Sequence, residues 1–355
     1  MQRPLATALA LALLSTSCTK AAHDDSAHHF PRALAVTVLA TGLVAPWGLA
    51  FLPDGSALLS ERDSRLIKSV ARNGAVHTVQ RMSEADSSGE GGLLGIAVSP
   101  DYARDRLVYA YYTTASDNRI ARFRLGERPQ PIVTGIPVSG IHNGGRIAFG
   151  PDGYLYAGTG DASERGRSQD VTSLGGKVLR MTAAGQPAPG NPLPGSLVWS
   201  FGHRNVQGLA WDSHGRLFAS EFGQNRHDEV NRILPKHNYG WPTVEGMGGG
   251  ARFTDPLVTW APDQASPSGI AILDQTIYVA CLKGERLWRI PIHDDGTLGH
   301  PQSLLEGTYG RLRHVAVAPD GSLWVLTSNR DGRGDPGPTD DRLLRVDPAA
   351  LVSPG

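Results

Sequence analysis

The sequence predicts an all-β chain folded as one six-bladed β-propeller with four-stranded blades. A hairpin signature repeated along the chain, and a spacing between its copies close to the length of one blade, carry that prediction. Each copy is an apolar strand, a tight turn at Asp-Gly or its equivalent, and a second β-rich strand. The copies are FLPDGSALLSER from Phe51, AVSPDYARDRLVYAYYT from Ala97, IAFGPDGYLYAGTGD from Ile147, LAWDSHGRLFASEFG from Leu209, GIAILDQTIYVACLKG from Gly269 and VAVAPDGSLWVLTS from Val315. Asp-Gly between alternating apolar runs is a strong short-range hairpin signal. The turn aspartates Asp54, Asp101, Asp152, Asp212, Asp274 and Asp320 lie 47, 51, 60, 62 and 46 residues apart. A four-stranded blade needs about 40–50 residues, so each interval holds one blade and its loops.

Residues 35–349 are therefore read as the propeller, and the uneven period separates it from a WD40-type array. The surplus length in 162–208 and 224–268 is expected as top-face loops around the central channel. DDRLLRVDPAALV, near the C-terminus, is expected to supply the outermost strand and close the ring with ALAVTVLATGL near the N-terminus. The composition agrees: 43 Gly and 25 Pro in 355 residues favour turns over long helices, and no window sustains an i, i+3, i+4, i+7 apolar set. With 40% hydrophobic residues the chain can bury a core. Lys+Arg and Asp+Glu are both 34, a balance that excludes a nucleic-acid binder relying on a basic surplus.

Residues 1–17 read as a signal peptide: Arg3 precedes an apolar run over 4–14 that is too short to span a bilayer. Two exits stay open. Cys18 follows a lipobox-like stretch and would be acylated, anchoring the chain; alternatively cleavage falls near Ala21 or Ala22. Either way the protein is expected to be exported, periplasmic or at the cell surface. A flexible tether over 18–34 and a tail over 350–355 flank the propeller. Cys18 and Cys281 are the two cysteines, so loss or lipidation of Cys18 leaves no disulfide within the chain. Cys281, in IYVACLKG, reads as a buried small hydrophobe.

Polar, Gly-rich segments between the hairpins contain five strong cations, Arg146, Arg204, Lys283, Arg311 and Arg313. Arg311 and Arg313 are two apart and share one face of a strand. Any one of these reads as solvated or ion-paired surface; the set, in Gly-rich surroundings, points to an anionic small molecule. His142, in the loop IHNGG, is the candidate general base. Asp228 and Glu229, with Asn225, Asn231 and Asn238, form an oxygen-rich stretch of the kind that suits Ca²⁺. No structural zinc spacing, GxGxxG fingerprint before a helix, GxSxG elbow or Walker loop is present.

The motifs PWGLAFLPDG, GEGGLLGIAVSPDY, HNGGR, GHRNVQGL, SEFGQN…DEVN…NYGWP, LKG and RLRH…PDG follow one another from about residue 40 to 347. In that order the chain resembles the soluble PQQ-dependent aldose sugar (glucose) dehydrogenases. The resemblance implies a six-bladed propeller that oxidises the C1 hydroxyl of aldoses to lactones and hands electrons to a quinone, dye or cytochrome. It implies that His142 takes the anomeric hydroxyl proton as hydride passes to the quinone, and that Arg204 and Asn205 contact the quinone oxygens. It assigns Lys283, Arg311 and Arg313 to the PQQ carboxylates, and the carbonyls of Gly223 and Gln224 to a Ca²⁺ at the cofactor. It assigns Glu229 and the carbonyl of Tyr239 to a second, structural Ca²⁺, and stacks Trp260 on cofactor or substrate. Glu90 stands at the cofactor where the family often has Gln, Gln224 where Pro is common, and His314 where Asp usually follows the arginine pair; residues 243–258 lack a Tyr that some members place over PQQ. A non-enzymatic surface-displayed binding propeller and a Ca²⁺-dependent lactonase or lyase are the alternative readings.

Overall fold

The structure is a computed structural model that describes Met1 and residues 35–351. The leader, Cys18, the tether and the end of the tail lie outside the described residues.

Six four-stranded antiparallel sheets form the blades of a propeller. Five are simple meanders, running from Pro46–Phe51 to Val76–Arg81, Leu93–Val98 to Gln130–Ile136, Ile147–Phe149 to Val198–Phe201, Val206–Trp211 to Val258–Trp260, and Pro267–Leu273 to Gln302–Leu304. The sixth takes Leu312–Val317, Leu323–Thr327 and Leu343–Val346 from the C-terminal part and Val36–Ala40 from the N-terminal part. The ring is thus closed by both ends of the domain, but the outermost strand is the N-terminal one and the C-terminal segment lies third. Burial explains the order. Leu343, Leu344 and Val346 are wholly buried, as an interior strand requires, whereas Val38 is 44% exposed, as suits an edge. The closing register pairs Val36 with Val346 and Ala40 with Leu343.

Each turn aspartate sits at the tip between the first and second strands of its blade. In the first blade the Asp54 carboxylate accepts from the Ser56 N–H at 2.9 Å, the local bond that makes Asp favourable there. The fifth blade uses Asp274 and Gln275, both left-handed at φ 46° and 53°, as a two-residue hairpin turn suited to strand twist. The second blade departs, inserting a single helical turn, Tyr102–Asp105.

Innermost strands of adjacent blades meet at glycines. A Cβ on Gly95 would collide with the Gly145 carbonyl oxygen, and one on Gly208 with that of Ser268. Serine hydroxyls also bridge neighbouring blades: Ser60 Oγ of the first blade donates to Leu94 O of the second, and Ser220 Oγ of the fourth to Ser268 O of the fifth, each at 2.5 Å. Apolar clusters fill the spaces between blades; one joins Trp47, Leu94, Tyr111, Ile147 and Leu179. Cys281 is buried in another, as expected.

The two long stretches are not wholly top-face loops. The first contains Lys177–Met181 and Val198–Phe201, and the second Asp228–Ile233 and Val258–Trp260, the outer strands of their blades. The segment between Ile233 and Val258 runs back along the third blade. Asn238 pairs in parallel with Phe201, and the N–H groups of Tyr239 and Trp241 donate to Phe201 O and Gly202 O. Among the described residues, no helix is long and apolar enough to cross a membrane.

Truncating Leu343, wholly buried on the closing strand, leaves a cavity beneath the N-terminal edge. Leu343→Ala is expected to lower unfolding free energy by about 2–5 kcal/mol, measured by urea denaturation; an effect within experimental error would show that closure contributes little.

Candidate active site

A cavity of about 670 Å³ opens at one end of the ring. Its wall comes from the starts of innermost strands (Trp47, Gln207, Arg313), from Arg204 just before one of them, and from loops joining second to third strands (Arg62, Gly223, Lys283, Asp331).

His142 lies on this wall, on a loop held from several sides. Tyr111 Oη donates to Asn143 O at 2.8 Å, and Asn118 Nδ2 to Asn143 Oδ1 at 3.0 Å. His142 itself is left-handed, φ 59°, a conformation sparsely populated outside glycine. It is fixed by an N–H bond to Glu90 Oε2 at 2.9 Å and by the Ala162 N–H at its carbonyl. The ring is bound at both nitrogens: Nδ1 lies 2.8 Å from Asp161 Oδ1, and Nε2 lies 2.8 Å from Arg204 Nη2. Asp161 Oδ2 accepts from Trp241 Nε1 at 2.8 Å. Burial alone raises the Asp161 carboxyl, but the His142 and Trp241 bonds outweigh it and hold it below the usual range. An ionised Asp161 only accepts, so Nδ1 carries the hydrogen and Nε2 presents its lone pair.

Arg204 is braced by its backbone N–H to Glu221 Oε1 and by its guanidinium to Phe222 O at 3.2 Å and Gln224 Oε1 at 3.1 Å. Burial pushes its guanidinium below the ordinary value while Asp161 and Glu221 draw it back. Asn205 Oδ1 accepts from the Gly144 N–H at 3.0 Å, tying the Arg204 loop to the His142 loop.

Arg311 and Arg313 do share a face, and both reach Asp331 Oδ2, at 2.9 and 3.3 Å. Arg62 Nη2 donates to the Asp331 carbonyl at 3.1 Å. Arg313 Nη1 also binds Gln207 Oε1 at 2.9 Å, yet its buried Nε has no partner among the described residues. Burial pushes the Arg313 guanidinium down to about 10, against the pull of Asp331. Lys283 lines the cavity, is exposed, and makes no ion pair among the described residues. Arg146 is not on the wall. It is buried 4.2 Å from the centre of the Trp47 ring, with Nη2 unpartnered among the described residues, and burial followed by repulsion from Arg313 lowers it to about 9. His314 is turned aside: Nε2 meets Leu49 O at 3.3 Å, and burial and Arg146 push the ring far below its ordinary value, keeping it neutral.

Glu90 stands at the cavity but is occupied on both oxygens, by the His142 N–H and by Arg333 at 2.7 Å, so its charge is compensated. Gly223 and Gln224 lie on the wall beside Arg204. Glu229 and Tyr239 lie behind it. Glu229 pairs across strands with Glu221, and burial and that neighbour push its carboxyl up to about 8. Its Oε2 accepts from Asn231 Nδ2 at 3.0 Å, and the buried Asn231 Oδ1 has no partner among the described residues. Tyr239 stacks 4.6 Å from His203, whose Nδ1 binds Glu221.

Trp260 corrects the sequence-based expectation. It is buried in the core of the fourth and fifth blades, stacked 5.6 Å from Trp288, and does not line the cavity. It ends Val258–Trp260, the outermost strand of its blade, with its ring packed on Trp288 rather than on the cavity. Sequence reasoning also passed over Asp161, Trp241, Asp331, Arg62 and Trp47. Asp161 closes the third repeat and was legible as the only acid in GTGD; Trp241 and Asp331 are brought in by loops that no periodicity announces.

The fold and site define a propeller of the glucose dehydrogenase kind, and comparison agrees. The sequence profile of the Glucose / Sorbosone dehydrogenase family matches residues 43–345, and the chain belongs to that family. The PQQ-bound aldose sugar dehydrogenase of Streptomyces coelicolor is 56% identical and superposes with a TM-score of 0.85, over 88% of this chain and 97% of that one. A Thermus thermophilus protein described as a putative oxidoreductase (glucose dehydrogenase) is 45% identical, TM-score 0.83, over 88% and 99%. The aldose sugar dehydrogenase of Escherichia coli is 28% identical over 90% of this chain and 94% of its own.

Asp331 is the counter-charge to two buried arginines, so Asp331→Asn should cost about 3–5 kcal/mol at neutral pH, measured by chemical denaturation. The sign in acid follows from linkage. Burial raises the Asp331 carboxyl, but Arg313 and Arg311 hold it below its ordinary 3.8. Its stabilisation is therefore complete above that value and is lost as pH falls through the lower folded value. The variant should lack this part of the acid decline; an unchanged acid limb would contradict the pairing.

Proposed function

We propose that the protein is an exported, PQQ- and Ca²⁺-dependent aldose sugar dehydrogenase that oxidises the C1 hydroxyl of aldoses to the lactone and passes electrons to an external acceptor. The observation that carries this reading is the cavity itself: Arg311, Arg313, Lys283, Arg204 and His142 line it, with the buried Asp161 bound behind the imidazole. The surplus of buried positive charge, with Arg313 Nε unpartnered, fits a guest bearing several carboxylates. Arg311, Arg313 and Lys283 would hold those carboxylates, and Arg204 and Asn205 the opposite, oxygen-bearing edge. PQQ, when bound, supplies a two-electron acceptor for the hydride released from the sugar C1.

The chain's own residues supply the proton chemistry. His142 Nε2 receives the proton of the C1 hydroxyl, and Asp161 stabilises the resulting imidazolium through Nδ1. Arg204 Nη2 holds the Nε2 lone pair in the absence of sugar, so the sugar hydroxyl takes the place of this bond. Arg204, still held by Phe222 O and Gln224 Oε1, then turns its released N–H toward the developing negative charge. Gln224 and Gly223 would present carbonyl oxygens to a Ca²⁺, a hard-cation ligand type. Glu229 and the Tyr239 carbonyl would hold the second, structural Ca²⁺; the raised Glu229 carboxyl and the orphaned Asn231 Oδ1 support a buried cation there. Export rests on Arg3 and the apolar run over 4–14, with acylation of Cys18 as the anchoring variant.

The test is purified chain supplied with PQQ and Ca²⁺, with dye reduction followed over a panel of aldoses. Failure to bind PQQ would refute the reading. His142→Ala should lower kcat by about 10²–10⁴ while PQQ affinity, measured by fluorescence titration, stays within a few-fold. Replacing Arg311 and Arg313 together by Ala should instead weaken PQQ affinity first; equal loss of both properties in His142→Ala would make His142 structural.

A further inference from the structure

Glu245 lies on the long segment between Asp228–Ile233 and Val258–Trp260, the third and fourth strands of the fourth blade. Its Oε1 accepts from four successive backbone N–H groups, those of Gln224 at 2.6 Å, Asn225 at 2.9 Å, Arg226 at 2.9 Å and His227 at 3.2 Å. One carboxylate oxygen thus gathers the whole loop that leads from the cavity wall into the third strand. Burial raises the carboxyl, and the four N–H groups outweigh it and hold it below its usual range.

Peptide geometry makes this bond pattern directional. In a trans peptide the N–H of one residue and the C=O of the residue before it point opposite ways. Drawing the N–H groups of 224–227 onto Glu245 turns the carbonyls of 223–226 away from it. Gly223 and Gln224 are the two of these that lie on the cavity wall. The loop is wound too tightly for a side chain at its start: a Cβ on Gly223 would collide with the His227 carbonyl oxygen and lie 2.9 Å from Glu245 Oε1. Both ends are pinned. Gly223 N–H donates to Asp228 Oδ1 at 2.9 Å, and Gly246, next to Glu245, donates its N–H to Glu229 Oε1 at 2.8 Å.

We infer that Glu245 is the positioning residue for the cation at the cavity wall: by gathering the N–H edge of loop 223–227 it presents the Gly223 and Gln224 carbonyl oxygens to a hard divalent cation. The inference rests on the calcium reading above and adds to it the residue that shapes the site without touching the ion. It also links the two cation positions, since Glu229 fixes Gly246 and Gly246 carries Glu245.

The test uses the full chain freed of metal with chelator. Calorimetric titration with Ca²⁺, in the presence and absence of PQQ, identifies the PQQ-linked cation. Glu245→Ala should weaken that binding by about tenfold or more, the scale seen for partners that orient metal ligands. Glu245→Gln keeps an acceptor oxygen without the charge and should fall between. In hydrogen exchange without metal, the amides of 224–227 should lose protection in Glu245→Ala while those of Asp228–Ile233 keep theirs. A folded Glu245→Ala chain with wild-type Ca²⁺ affinity, or with undiminished protection at 224–227, overturns the inference. Should that variant fail to fold, Glu245→Gln decides: wild-type affinity overturns the role, reduced affinity supports it. Wild-type chain that binds PQQ but no linked Ca²⁺ overturns the calcium reading together with this one, whereas an indifferent variant of a calcium-binding chain overturns only the role of Glu245.

Discussion

Two guanidinium groups, Arg311 and Arg313, share the single Asp331 oxygen Oδ2, and a third, Arg62, holds the Asp331 carbonyl. Taking such charges out of water costs several kcal/mol each, and one carboxylate offsets only part of it. The propeller imposes this crowding. Residues two apart on a strand point the same way, and innermost strands converge on a narrow axis, so side chains from several blades meet at one mouth. Trp47 adds an aromatic surface, 4.2 Å from Arg146 and 5.9 Å from Arg313. The result is a wall with a standing positive potential and an unpartnered buried donor, Arg313 Nε. An anionic guest beside these guanidinium groups would offset part of what burial costs, which is the physical basis for proposing a polycarboxylate there.

Such a charge cluster holds its geometry only on a stiff frame. Glycines at inter-blade junctions let backbones approach where a Cβ would collide, and Ser60 and Ser220 fasten neighbouring blades with short hydrogen bonds. The His142 loop is secured by Tyr111 and Asn118 from the neighbouring blade, and Asn205 joins it to the Arg204 loop. The histidine, its carboxylate partner and the arginine therefore come from loops with little freedom to drift. Preorganisation of this kind is what lets a base and a charge-stabilising cation act without reorganising at the moment of reaction.

The long segment of the fourth blade gives the site its remaining parts. It runs beside the third blade, places the Trp241 indole on Asp161, and sets Glu245 under the Gln224 loop. A single excursion thus reaches the Asp161–His142 pair on one side and the Gln224 loop on the other. The surplus spacing after Asp212 signalled an insertion of some kind, but neither its path nor its two contacts.

The alternation of apolar strands and Asp-Gly turns at blade-length spacing was sufficient to indicate an all-β propeller, because hairpin formation is local and its signals lie within a few residues. Local pattern likewise marked Arg311 and Arg313 as sharing a face, and marked His142, Arg204 and Lys283 as residues of Gly-rich loops, all of which lie on the cavity wall. Contacts between residues far apart in the chain left no such trace. The Asp331 counter-charge, the Trp241–Asp161 bond, Glu90 meeting Arg333, and the order of the closing strands depend on how blades and loops come together in space. Trp260 shows the same limit from the other side: an aromatic residue near motif residues in sequence lies at the outer strand of its blade, away from the channel. Short-range backbone preference decides which elements form and how many; which side chains face one another across the mouth is settled only when the ring closes and desolvation forces each buried charge to find a partner.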